Sequence, residues 1–281
     1  MTESLARQAL LLLTLAWTTA SASPVGNSTT RRRTPDAIII GVKKAGTRAL
    51  LEYLNINPLV RSPGPEVHFF DRYFDRGLEW YRKQMPLVND EQWVIEKTPR
   101  YFVTPEAPER IRNWNPRVKL LVVVKDPVTR AISDYTQLAS KQPGMPSFER
   151  MALRGDGSLN ASWAALRLGD YGRWAPAWLR AFPVEQLHFV SGDRLVDRPV
   201  KELRLVERFL GLRPFVKRSH FIKGGKFPCI MRPEHKKRCL GKTKGRAHPL
   251  VDPELLKKLR DFYRPKNAAF YKVVRRNFGW S

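Results

Sequence analysis

Apolar and polar positions along this chain fall into two alternating kinds of block. The first is Asp36–Val42 (DAIIIGV), a β-branched run with no polar interruption after Asp36, as in a strand covered on both faces. Gly41–Gly46 breaks it as a turn. Thr47–Leu54 (TRALLEYL) then sets Leu50, Leu51 and Leu54 on one face of a helix. The alternation recurs. Trp93–Glu96, Lys119–Lys125 (KLLVVVK) and Leu187–Ser191 predict strands. Pro105–Trp114, Pro127–Ser140, Val200–Leu210 and Pro253–Arg264 predict helices. Strands separated by helices predict an α/β fold: a single domain with a central parallel sheet, a P-loop-like strand–loop–helix at its start, and helices on both faces.

The ends change the picture first. An apolar run from Ala9 to Trp17 follows Arg7 and leads into Ala20 and Ala22, spaced as a cleavage site. It is shorter than the roughly 20 residues a membrane span needs. Residues 1–22 therefore read as a signal peptide or short signal anchor, with a buried N-terminal helix as the alternative. Residues 23–34 read as a polar linker and 35–281 as the folded domain. Asn27-Ser28-Thr29 and Asn160-Ala161-Ser162 are glycosylation sequons. Cys229 and Cys239 are the two cysteines; in an oxidising lumen they would close a small loop, which makes a Golgi lumen the expected compartment.

Charge changes it next. The 281 residues hold 51 Lys and Arg against 26 acids, a formal charge of +25. Such an excess calls for a polyanion: nucleic acid, an anionic membrane or an acidic glycan. Much of it sits in Arg213–His248, where Glu234 is the one acid. The turn Gly41-Val42-Lys43-Lys44-Ala45-Gly46-Thr47-Arg48 joins a buried strand to a helix N-terminus, whose unpaired N–H groups favour a phosphate. It lacks the lysine that a Walker A loop has before the Thr. A second anion site is expected where Lys125 ends a strand and Ser133 lies about two turns into the next helix. The residues alone leave a tight turn and a solvated strand end as the plainer readings of both.

Together, GVKKAGTRALLEYL, PEVHFFDR, EKTPRYF, VVVKDPVTRAISDYTQ, GKTKGRAHP and FYRPKNAAFYKVVRRNFGW resemble the heparan sulfate glucosamine 3-O-sulfotransferases from about Pro35 to Trp280. The resemblance implies the sulfotransferase fold and 3′-phosphoadenosine 5′-phosphosulfate as donor. It implies heparan sulfate as acceptor, with no metal required, no nucleic-acid partner and membrane contact only through an N-terminal anchor. By position it implies Lys44, Ala45, Gly46, Thr47 and Arg48 at the 5′-phosphosulfate, and Lys125 and Ser133 at the 3′-phosphate. Lys244, Gly245, Arg246, Ala247 and His248 match a basic loop on the donor. Glu66 matches the catalytic base, with His68 and Asp71 supporting it and Lys44 acting on the departing oxygen. Lys43, Arg72, Lys97, Arg100, Gln137, Ser162 and Trp163 match the glycan cleft. The chain departs from the family pattern at Ala45 (usually Gly), at Lys125 (usually Arg) and in His220–Cys229, which lacks an aromatic-rich stretch. Two readings of another class, a heparin-binding structural protein and a nucleic-acid binder, need the charge but no donor site.

Overall fold

The computed structural model describes residues 29–231, 236–241 and 245–280. The expected signal segment, the Asn27 sequon and Lys244 lie outside the described residues. Among those described, the main sheet has five strands, all parallel: β1 (Ala37–Gly41), β2 (Val60–Arg61), β3 (Trp93–Lys97), β4 (Lys119–Val124) and β5 (Leu187–Ser191), in spatial order β2-β3-β1-β4-β5. Every residue of β1 is buried, as are Leu120 to Val124 of β4, so both faces are covered. The connection from β3 to β4 crosses over β1. The loops leaving the carboxyl ends of neighbouring β1 and β4 therefore diverge and open a crevice, where ligands bind in open α/β sheets.

Two helices open from that edge. The first, α1 (Thr47–Leu54), follows β1; the second, α2 (Pro127–Ala139), follows β4. Asp126 caps α2, its carboxylate accepting from Thr129 N–H at 2.7 Å, with Pro127 at the first helical position. Inside α2, Arg130 is fully buried and pairs with Asp134 at 3.2 Å; Asp134 also holds Lys43 at 2.9 Å, tying the turn after β1 to this helix.

Two expectations are corrected, and one helix goes beyond the pattern. The last helix, α4 (Pro253–Val274), does not stop at Arg264; it runs through Pro265. Buried Leu255, Leu259, Tyr263, Asn267, Phe270 and Val274 recur every three or four positions, and this stripe outweighs the roughly 3 kcal/mol a mid-helix proline costs. A helix absent from the pattern, α3 (Tyr171–Ala181), likewise contains Pro176 and buries Tyr171, Ala175 and Trp178. Arg31–Arg32, read as linker, pairs antiparallel with Leu87–Val88, and Arg31 bridges Asp90 at 2.8 Å. The cysteines do form a disulfide, Cys229–Cys239, across a small antiparallel sheet of Phe221–Ile222, Cys229–Met231 and Lys237–Arg238. Among the described residues no helix is long and apolar enough to cross a membrane.

His188 on β5 makes one consequence measurable. Its ring stacks on Phe209, its Nε2 is buried without a protein partner, and burial plus Arg276 pull its pKa down to about 4. An imidazole harder to protonate in the folded chain contributes stability that is present above about pH 6.5 and lost as pH falls toward 4. His188→Phe keeps the stack and removes the proton site. Denaturant melts at pH 7.5 and 4.5 should show the wild type losing on the order of 2–3 kcal/mol more than the variant. Parallel losses would assign the acid sensitivity elsewhere.

Candidate active site

The crevice is a cavity of about 810 Å³. Its floor is the turn after β1. Gly46 has φ 116°, which a side chain would strain, and Lys44 reaches φ 71° without being glycine. The first N–H groups of α1 have no intrahelical acceptor, as at any helix N-terminus, where an anion is favoured. Lys44 Nζ donates to Gln137 Oε1 at 2.7 Å, so two expected site residues on different elements meet. Thr47 and Arg48 line the cavity; Arg48 also bridges Glu52 at 2.7 Å and donates to Gly64 O at 3.1 Å. Ala45 differs from expectation. Its side chain is in the core at 1% exposure, its N–H donates to Val42 O at 3.0 Å, and it does not line the cavity. It shapes the loop from inside, so its methyl group does not crowd an anion.

At the end of β4, Lys125 is nearly buried, its ammonium 3.4 Å from Asp193 Oδ1. Asp193 is in turn held by Trp280 Nε1–H at 3.3 Å, and Tyr171 OH donates to Lys125 O at 2.7 Å. Ser133 and Thr129 of α2 complete this wall. Gly245 and His248 arrive from the basic segment, whereas Arg246 and Ala247 do not line the cavity. Burial, with Lys226, Lys125 and Lys44 nearby, pushes His248 down to about 4. An imidazole kept neutral among ammonium groups marks a strongly positive pocket.

Across the cavity from that turn stands a carboxylate. Glu66 comes from the Pro65–Asp71 loop, which the segment just after β3 pins in place. Thr98 Oγ1 receives His68 N–H at 3.3 Å, and Tyr101 OH receives Phe69 N–H at 2.9 Å. Beneath them Glu96 is fully buried; burial raises its carboxyl to about 7, against a counteracting hydrogen bond from Thr98. Lys97 Nζ donates to Glu66 Oε1 at 2.5 Å, and Glu66 Oε2 lies 3.4 Å from His68 Nε2. The far nitrogen of that ring, Nδ1, is 2.9 Å from Asp71 Oδ2, and the Asp71 side chain is buried behind it. His68 sits at φ 55°, one of three such non-glycine residues among those described. Strain at both Lys44 and His68 is held by their surroundings, the kind of cost that persists where geometry matters. Glu66 itself is open at 39% exposure.

The cleft residues divide. Lys43, Arg72, Lys97, Arg100, Gln137 and Trp163 line the cavity; Ser162 does not, its hydroxyl donating to Asn160 Oδ1 at 2.7 Å. The sequence did not single out Lys226, Asp193 or Thr129. One lysine among the many of Arg213–His248 carries no linear mark of facing a cavity. The group set fits a nucleotide with anionic ends on the sheet side and a polyanion across the open side.

A family profile described as a sulfotransferase domain matches residues 34–271. The chain is 53% identical over 257 residues to mouse heparan sulfate glucosamine 3-O-sulfotransferase 3A1, covering 89% of this chain and 65% of that protein. It is 51% identical to human heparan sulfate glucosamine 3-O-sulfotransferase 6 over 264 residues, covering 92% of this chain and 77% of that one. The chain thus spans about 65% of the length of the 3A1 relative. A solved sulfotransferase from Alicyclobacillus acidocaldarius shares the fold, with a TM-score of 0.68 at 22% identity over 88% of this chain and 98% of that one. The profile makes the chain a sulfotransferase-domain protein, and by these relatives it belongs to the heparan sulfate glucosamine 3-O-sulfotransferase family.

Proposed function

We propose that this protein transfers a sulfuryl group from 3′-phosphoadenosine 5′-phosphosulfate to the 3-hydroxyl of glucosamine in heparan sulfate. The observation that supports it most is the meeting, in one cavity, of a phosphate loop and an open carboxylate braced by Lys97 and His68. When bound, the donor supplies a sulfuryl group whose bond to the bridging phosphate oxygen breaks as a bond to the sugar oxygen forms. The loop Lys44–Arg48 holds the 5′ end; Lys125, Ser133 and His248 hold the 3′ end. Lys44 stabilises negative charge on the departing oxygen, where a fixed ammonium in a partly water-excluded site has most effect. Glu66 takes the hydroxyl proton. His68, oriented by Asp71, and Lys97 fix the carboxylate's direction. Lys43, Arg72 and Arg100 neutralise acceptor sulfates and carboxylates along the open wall.

The Golgi lumen follows from the same reading, and the Cys229–Cys239 disulfide suits that oxidising compartment. The test is transfer from labelled donor to defined heparan oligosaccharides, with the product digested and its disaccharides separated. Label on the glucosamine 3-oxygen is the expected result. A protein that binds heparan sulfate but neither binds the donor nor transfers its label would be a structural glycan binder.

A further inference from the structure

Lys226 has no part in the functional reading above, yet it faces the donor end of the cavity. It lies in the turn between Phe221–Ile222 and Cys229–Met231, whose position the neighbouring disulfide fixes. Its Nζ is 3.2 Å from His248 Nε2. An ammonium has only donors, so the imidazole nitrogen accepts and His248 is held neutral. Its stem also packs close to Gly245, where an added Cβ would come within 3.0 Å of Lys226 Cβ. Partial burial and repulsion from Lys125 both hold the Lys226 ammonium below its ordinary pKa.

The neighbouring charges do not balance. Lys125 shares Asp193 at 3.4 Å, which offsets part of its charge. A lysine is a point charge that cannot form the two-pronged contact a guanidinium makes with phosphate. One partly offset ammonium is a poor match for a phosphate monoester that carries nearly two negative charges near neutral pH. A second ammonium near enough to be repelled by the first has an electrostatic cost in the empty chain, and a dianion between them would reverse its sign.

We infer that Lys226 and Lys125 form a two-ammonium seat for the donor's 3′-phosphate, with neutral His248 as the spacer that orients Lys226. This rests on the donor reading above and assigns to Lys226 the selection of a 3′-phosphorylated nucleotide over one phosphorylated only at the 5′ position.

The experiment is calorimetric titration of the whole protein with adenosine 3′,5′-bisphosphate and, by competition, with adenosine 5′-monophosphate. Wild type, Lys226→Gln and Lys226→Arg are compared after matched thermal melts establish that each is folded. Lys226→Gln should weaken the bisphosphate at least about tenfold, the scale of one hydrogen bond to a charged group. It should leave the monophosphate within about twofold, and Lys226→Arg should retain most of the affinity. The bisphosphate should also lose less affinity with added salt in Lys226→Gln, since one fewer cation meets the phosphate. Equal weakening of both nucleotides would put Lys226 at the 5′ end or in the fold and overturn the inference. Unchanged bisphosphate affinity would overturn it while leaving the donor reading standing. A folded wild type that binds neither nucleotide would overturn both.

Discussion

Glu66→Gln is expected to lower sulfuryl transfer about 10²–10⁴-fold, the usual range for loss of a general base. The substitution keeps the side chain's size. The amide oxygen can still accept from Lys97, so the loop should hold its shape. What it removes is the group that takes up a proton. The losses should therefore fall on kcat, with bisphosphate and heparan sulfate binding near wild type. A rise confined to KM would make Glu66 a binding residue. His68→Ala should lose less than Glu66→Gln, because the ring only steers Oε2 from 3.4 Å. Near-wild-type turnover by Glu66→Gln would mean that another group deprotonates the sugar.

Gly192→Ala is expected to disable the donor site from behind. Gly192 follows β5, and its N–H donates to Val124 O at 2.7 Å. A Cβ built there lies 2.0 Å from Ala45 O and 3.1 Å from Val124 O. Both are backbone atoms, so no side chain can rotate away and the phosphate loop itself must shift. Overpacking of this kind costs typically about 1–3 kcal/mol. The larger effect is on function: moving Ala45 also moves Lys44 and Gly46, and bisphosphate affinity should fall at least about tenfold as charged contacts are lost. Gly155→Ala is the control, since nothing lies within 4 Å of a Cβ at that position and it does not line the cavity. Melting temperature and calorimetry together check the result. A Gly192→Ala protein with unaltered melting and affinity would show that the loop relaxes freely.

Much of this architecture is legible along the chain, for a physical reason. A strand buried on both faces has to be a run such as Ile38-Ile39-Ile40 or Leu120 to Val124, and such runs stand out with boundaries good to one or two residues. Val60–Arg61 does not stand out, because a two-residue edge strand takes its pairing from β3 rather than from its own composition. The helix over Tyr171–Ala181 was hidden by Pro176, and the end of α4 by Pro265, since tertiary burial overrides a local breaker. At the site, the turn after β1 stands out in its glycine, lysine and threonine. Glu66 and His68 do not show locally; only resemblance singles them out, because their link to Lys97 and Asp71 depends on how the loop folds over β3. Lys226 escaped both routes.

The crowding of Lys125, Lys226 and Lys44 around one imidazole also bears on how such a chain drifts. Like charges gathered in a folded protein oppose folding, so neutralising Lys226 should raise the melting temperature of the ligand-free form while eroding its use, whereas neutralising Lys125 would leave Asp193 unpaired. Selection for thermal robustness alone would then remove the donor pocket first, and screens that rank variants by unliganded stability would enrich inactive ones. The pocket is thus a standing trade-off between unliganded stability and the nucleotide site proposed for it.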